Sequence, residues 1–414
     1  MNRSNGGGTG IVTGIGAGTG TGAGTGTGGA NLLAPRSHNT ALVLDLLRTA
    51  GAEGISRLEL AERTGLTPQA VSKITARLRG EGLATEAGRR ASTGGKPRTV
   101  LRLVPGAGHA LGVHLDRDEL RAVLVDLDGT VVAERRAPLD LGAGAETVLE
   151  GVARAADELA GEALPAPAPA PAEVPLPARR GLADVPTLLG LGVALPGPLD
   201  HVRGVLHRVT GFPEWDGYPL RDALERRLGV PVVVDKDTNA AALGLAIGDG
   251  GADGGRGGSF AYLHLGTGLG AGLVFGGGVH RGARTGAGEF GHQVVQLDGP
   301  PCTCGARGCT EALCLAAVAR GDLAEAARVL GTGAANLAGL LDIDQVLLGG
   351  RTVTAAPEAF VHGVGAVLDA RARREGGDDG AVPVRLAPGG TRAVAEGAAQ
   401  LLLAPLFGRG DGRG

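Results

Sequence analysis

Aromatic residues are scarce: one Trp, two Tyr and six Phe among 414 residues. The core must therefore be built from Ala, Val and Leu, and the stacking platforms that hold single-stranded nucleic acid are lacking. No apolar run reaches the ~18 residues of a membrane span. No Lys/Arg cluster leads into an apolar stretch at the N-terminus, the pattern of a secretory signal, so a cytoplasmic protein is expected. Gly is abundant at 77 residues, but without the Gly-X-Y period of collagen. Cysteine is limited to Cys302, Cys304, Cys309 and Cys314. A disulfide framework would spread along the chain, whereas a tight cluster in a cytoplasmic protein points to metal. The length allows two or three domains.

The net charge of -3 hides an asymmetry. Residues 1–35 carry only Arg3, within a Gly/Thr-rich tract that cannot bury enough apolar surface to order itself. It is expected to be a disordered leader. A phosphate-cradling loop is the alternative, but no Lys-Ser/Thr follows and no strand flanks it. Residues 36–104 hold 12 Lys/Arg against 6 Asp/Glu, and the remainder, 105–414, is net -10. A small basic unit ahead of an acidic body suggests a polyanion-binding module on a larger domain. Pro and Ala alternate from Pro165 to Pro177, which reads as a surface insertion spanning about 161–180 within the second domain.

The basic unit reads as helix, turn, helix and basic hairpin, a winged helix-turn-helix. Its first helix carries Leu42, Leu44, Leu46 and Leu47. Its second, Arg57–Thr64, is expected to turn Leu58, Leu60 and Ala61 inward. Thr67 caps the third and Pro68 opens it. Val71, Ile74 and Leu78 form one face of that helix, with Gln69, Ser72, Lys73, Thr75 and Arg77 largely on the other. Strands Leu83–Ala87 and Thr99–Leu103 flank a tip carrying Arg89, Arg90, Lys96 and Arg98. The polar helix face suits the major groove of double-stranded DNA, and the wing suits phosphates or the minor groove. Thr67, Gln69, Ser72, Lys73, Arg77, Arg89, Arg90, Lys96 and Arg98 are the candidate contacts. A three-helix protein-interaction module is the alternative; the +6 charge argues against it.

In the acidic body, Gly112–Val132 reads as a β-meander. Its Asp126-Leu-Asp-Gly-Thr130 also spells an aspartyl-nucleophile motif, but Asp128-Gly129 between β-branched runs is a common hairpin turn. Asp237 ends one strand and opens an Ala-rich helix, where it can serve as a general base or simply cap the helix. Gly266, Thr267, Gly268 and Gly270 form a glycine turn between strands, able to bring backbone N–H groups near phosphate. Glu289-x-x-His292 precedes Cys302-x-Cys304-x4-Cys309-x-Glu311. Three cysteines and His292 can close a tetrahedral site for a structural zinc. Cys314 is the alternative fourth ligand.

These motifs, in this order, resemble the signature of the ROK family of repressors, open reading frames and sugar kinases. Pro196-Gly-Pro and Asp237 followed by Asn239 add to the resemblance, which covers about residues 36–414. It implies an actin-like, hexokinase-type fold of two α/β lobes with a sugar cleft between them, and zinc at His292, Cys302, Cys304 and Cys309. It implies sugar hydroxyls held at Asp237, Glu289, His292 and Glu311. Lys236 stands where the family has Asn, and can pair with Asp237 or attract an acidic ligand. The family's first phosphate loop, Asp-x-Gly-Gly-Thr, is His114-Leu-Asp116-Arg117-Asp118 here. Acidic groups there would repel phosphate, so the glycine turn is read as vestigial and no productive ATP binding is expected. The resulting expectation is a sugar-responsive regulator, a dimer or tetramer on a palindromic operator. A sugar kinase with Asp237 as base and a ligand-independent DNA-binding protein are the alternatives.

Overall fold

The computed structural model describes residues 36–90, 98–164, 181–209, 211–248, 258–376 and 381–409. The leader, Lys96 with the rest of the wing tip, and the Pro/Ala tract at 165–180 lie outside them, as do the side chains of Arg89 and Arg90.

The chain opens with α1 (His38–Thr49), β1 (Ile55–Ser56), α2 (Arg57–Thr64), α3 (Pro68–Gly80), β2 (Ala84–Arg90) and β3 (Arg98–Leu103). The strands form a small antiparallel sheet in the order β1-β3-β2. Local chemistry sets the helix starts. Ser56 and Glu59 form a capping box on α2, and the Thr67 hydroxyl accepts the Ala70 N–H with Pro68 at the first turn of α3. Two expectations fail here. Leu58 is 41% exposed, because it lies ~200° around the helix from Leu60 and the two cannot both face inward. Thr75 is fully buried: its hydroxyl donates to the Val71 carbonyl and accepts from Arg57 Nε at 3.3 Å.

Two lobes follow. The first contains β4 (His109–Leu115), β5 (Glu119–Asp126), β6 (Val131–Pro138), α4 (Ala145–Ala163), β7 (Leu188–Leu195), β8 (Leu199–Asp200), β9 (Val205–Leu206), α5 (Leu220–Leu228), β10 (Val232–Lys236) and α6 (Asp237–Ile247). Helix α4 continues to Ala163, so residues 161–163 of the expected insertion are helical, and its remainder from 165 lies outside the described residues. The second contains β11 (Phe260–Leu265), β12 (Leu269–Phe275), β13 (Gly278–Val279), α7 (Thr310–Ala319), α8 (Leu323–Leu341), β14 (Gln345–Gly349), α9 (Arg351–Ala355), α10 (Pro357–Glu375) and β15 (Val384–Leu386). The chain then returns to the first lobe as α11 (Ala393–Leu403) and a closing turn, Ala404–Phe407.

The two main sheets share one plan. Their orders are β10-β7-β4-β5-β6 and β13-β12-β11-β14-β15. In each, a three-strand antiparallel meander is extended by two parallel strands. Strands β4 and β7 are buried throughout, as expected of strands covered on both faces. The meander's turn works as its sequence suggested: Gly129 has φ +86°, and Asp126 Oδ1 accepts the N–H groups of Asp128 and Thr130.

Helix α11 lies against both β7 and α6. A Cβ on Gly192 would sit 1.8 Å from the Ala398 carbonyl oxygen, and one on Gly397 would sit 2.0 Å from that of Ala240. Only glycine permits this approach. The turn after α11 packs on α1, so one apolar core contains Val43, Leu44 and Leu47 with Val123, Val125, Leu402, Leu403, Leu406 and Phe407. Arg48 lies over the Phe407 ring at 4.9 Å, and Arg409 pairs with Asp45 at 2.9 Å. Leu, Val and Ala make up most of the interior. Buried Trp215 is an exception, its indole donating to the Leu141 carbonyl at 2.9 Å. Among the described residues no helix is long and apolar enough to cross a membrane.

Candidate functional site

The cleft between the lobes gathers the predicted residues. Asp237, Glu289, His292, Glu311, Lys236 and, from the glycine turn, Thr267, Gly268 and Gly270 line one cavity of about 80 Å³. That is small beside the several hundred Å³ of a usual ligand pocket.

Strand β10 delivers Asp237 to the first position of α6, where its Oδ1 accepts the Thr238 N–H at 2.6 Å. It therefore stands in the first turn of the helix and faces the cavity. Lys236 is 4% exposed. Its ammonium donates to the Ala287 carbonyl at 2.6 Å and pairs with Glu289 at 3.1 Å rather than with Asp237. Beneath it, buried Asp235 pairs with Arg281 at 2.7 Å and accepts from Asn239, tying β10 to the second lobe. Glu311, in the first turn of α7, accepts the Leu269 N–H at 2.8 Å. This contact fixes one end of the glycine turn.

The turn's Thr267 hydroxyl donates to Asp116 Oδ1 at 2.6 Å. Asp116 also faces Arg351 at 3.2 Å. Burial opposes ionisation of Asp116, but His114, Thr267, the Arg117 N–H and Arg351 together hold its pKa below the usual carboxylate value. His114 is buried, and loss of solvation lowers its pKa to about 4 against the opposing pull of Asp237. It stands at 6.1 Å, edge to face, from His264, whose Nδ1 bonds the Tyr262 hydroxyl at 2.9 Å. Sequence reasoning missed Arg351 and His264. The available signal for Arg351 was the Gly349-Gly350 turn ahead of it.

His292, Cys302, Cys304 and Cys309 bring their ligand atoms within 4.8 Å of one another. Cys304 and Cys309 sulfurs are 3.7 Å apart, close to the ~3.8 Å edge that a tetrahedral ion with 2.3 Å zinc–sulfur bonds requires. His292 Nδ1 is 3.7 Å from Cys302. The donor set thus fits a closed tetrahedral ion. Cys314 lies apart, its buried thiol facing the Ala326 carbonyl. Cys309 directly precedes α7, so the cluster ties the Glu289–His292 turn to the helix carrying Glu311.

On the winged helix, Gln69, Ser72, Lys73 and Arg77 are exposed on α3, beside the exposed cap Thr67. Arg77 is also tied down, donating to Thr40 at 2.6 Å. Arg98 is exposed on β3, where it pairs in register with Arg90.

Fold and cleft together define a hexokinase-like, two-lobed α/β protein preceded by a unit of three helices and a small three-stranded sheet. Residues 181–320 match the ROK family. The xylose repressor of Bacillus subtilis is 27% identical over 257 residues, covering 62% of this chain and 61% of that protein. The chain thus spans about three-fifths of such curated relatives. A ROK family glucokinase from Streptomyces griseus, solved with glucose and AMPPNP, is 26% identical. It covers 71% of this chain and 99% of its own at TM-score 0.55. A ROK family transcriptional regulator, a homologue of the Escherichia coli MLC protein, is 20% identical. It covers 90% of this chain and 98% of its own at TM-score 0.65, a likeness of fold.

Proposed function

We propose that the chain is a sugar-responsive, DNA-binding transcriptional regulator whose kinase-like domain senses its ligand without catalysis. One observation carries this reading: a winged helix with an exposed polar helix face shares a continuous apolar core with a domain whose cleft assembles Asp237, Glu289, His292 and Glu311. Carboxylates suit sugar hydroxyls, since each accepts two protons in fixed geometry. A structural zinc on His292 and the three cysteines would hold the Glu289 and Glu311 segments together. Bound there, it would supply rigidity and no chemistry, because four protein ligands leave no open position. A dimer or tetramer in the cytoplasm, acting mainly as a repressor on a palindromic operator, completes the proposal.

Helix α6 begins at Asp237, packs through Gly244 against Gly397 of α11, and α11 leads into the turn that packs on α1. A ligand that changes lobe closure would thereby shift the winged helix between arrangements of different DNA affinity. The test is operator binding with and without candidate sugars. Equal affinity for all duplexes, with a salt slope but no preferred site, would refute DNA reading.

A second reading, a sugar kinase with Asp237 as base, is favoured by Asp237 and the intact glycine turn. Against it, the loop after β4 carries Asp116, Arg117 and Asp118 where the family resemblance places Gly-Gly-Thr. ADP release over a sugar panel, abolished in Asp237→Asn, would reverse the ranking.

A further inference from the structure

The cluster of His292 and three cysteines is unevenly exposed. Cys302 and Cys309 are buried, whereas Cys304 is open to solvent. The Cys304 sulfur lies 3.7 Å from that of Cys309. A sulfur–sulfur bond of ~2.05 Å therefore needs a closing movement of under ~2 Å, within reach of side-chain rotation. Cysteines that hold zinc do so as thiolates, the form that attacks an electrophile. An accessible sulfur thus stands beside a buried one able to complete a bridge with it. Cys314 differs: it is fully buried, its thiol faces the Ala326 carbonyl, and burial pushes its pKa up to about 12.

We propose that Cys304 and Cys309 form a site oxidised by peroxides, whose oxidation releases the metal and loosens one wall of the cleft. The Cys304 sulfur attacks one oxygen of hydrogen peroxide and the O–O bond breaks. Cys304 becomes a sulfenic acid, and the departing hydroxide takes a proton from solvent to become water. The Cys309 sulfur then attacks the Cys304 sulfur and expels a second hydroxide, also protonated to water. In sum, two thiolates give up two electrons to become a disulfide, and the peroxide takes them up with two protons to become two waters. The metal changes no oxidation state; the chemistry belongs to the sulfurs. His292 and Cys302 alone would remain as donors, too few for a closed tetrahedral site. His292 lines the ligand cavity, Glu289 precedes its turn, and Cys309 precedes the helix that carries Glu311. Without the metal, the backbone bridge between Val294 and Cys309 is left to join these two segments. Loss of ligand affinity on oxidation rests on the sugar-sensing reading; oxidation and metal release do not.

The test exposes the full, zinc-loaded chain to hydrogen peroxide. A chromogenic chelator should detect released zinc as peptide maps show a Cys304–Cys309 disulfide, and a thiol reductant with added zinc should reverse both. Dimedone, which traps sulfenic acids, should label Cys304 and spare Cys314. Amide exchange in 286–292 and 310–313 should accelerate on oxidation. Cys304→His keeps four ligands and should release zinc at least about tenfold more slowly. If that variant fails to hold zinc, the dimedone and disulfide maps of the native chain decide. A bridge between any other pair, labelling that omits Cys304, equally fast release from Cys304→His, or exchange unmoved by oxidation overturns the inference. Calorimetry with glucose, xylose and N-acetylglucosamine on reduced and oxidised chain separates the two readings. Sugar binding unaltered by oxidation overturns the inference and leaves sugar sensing standing. Zinc release with faster exchange, in a chain that binds none of these sugars in either state, supports the switch and removes the sensing.

Discussion

Arg351 donates both terminal nitrogens to Asp118, Nη2 to Oδ1 at 2.6 Å and Nη1 to Oδ2 at 3.0 Å, and so joins the second lobe to the first. The side chains are 36% and 60% exposed, so solvent screens the pair and its contribution to stability is below about 1 kcal/mol. Because it bridges the lobes, it is expected to restrain their separation. Arg351→Ala should leave the melting temperature nearly unchanged but accelerate amide exchange in 116–118 and 351–355. Unchanged exchange there would show that the lobes are held by other contacts.

The cysteine cluster makes a separate prediction. Cys304 is exposed, so Cys304→Ser removes a ligand without opening a hole in the core. Native protein should carry one zinc per chain by elemental analysis, and the variant should carry less. Sugar affinity should fall at least about tenfold, because Glu289 and Glu311 lose their common anchor. Operator affinity should hold, since the winged helix packs elsewhere. Loss of operator binding alongside sugar binding would mean that the cluster supports the whole fold.

His114 sets an acid limit on stability. Its folded pKa of about 4 lies below the unfolded value near 6.5. Above pH 6.5 both states are neutral and the group has no effect. As pH falls from 6.5 towards 4, only the unfolded chain takes the proton, and stability drops by about 3 kcal/mol in total. His114→Asn should flatten this part of the curve. Denaturant melts of both proteins between pH 7.5 and 4.5 measure the difference, and parallel curves would show that the imidazole titrates alike in the folded and unfolded chain.

On α3, Gln69 and Lys73 should fail in different ways. Lys73→Ala should weaken binding to every duplex alike and lower the salt slope by about one. Gln69→Ala should cost about 1–3 kcal/mol on the operator and little on random DNA. Titrations at several salt concentrations separate the two, and identical losses for both variants would argue against base reading by Gln69.

What could be read from the sequence was local. Thr67-Pro68 announced α3, Asp128-Gly129 announced a turn, and the spacing of Cys302, Cys304 and Cys309 announced a cluster that the structure gathers with His292. Each signal depends on neighbours within a few residues. What escaped depends on distant ones. Thr75 is buried because Arg57 reaches it, Lys236 turns to Glu289, 53 residues away, and Arg351 meets Asp118 across 233. The presumed acidity of the loop after β4 was likewise incomplete, because its neutralising partner lies in the other lobe. Periodicity and motif spacing carry no information about such pairings.

The core beneath α1 includes Leu402, Leu403, Leu406 and Phe407, residues translated some 350 positions later than α1 itself. During synthesis the unit built on α1 therefore lacks part of its apolar floor until residues 402–407 have emerged. A nascent or C-terminally clipped chain would expose the underside of α1, and its reading head should be vulnerable to proteases. Grafting this head onto another sensor would require the tail to travel with it.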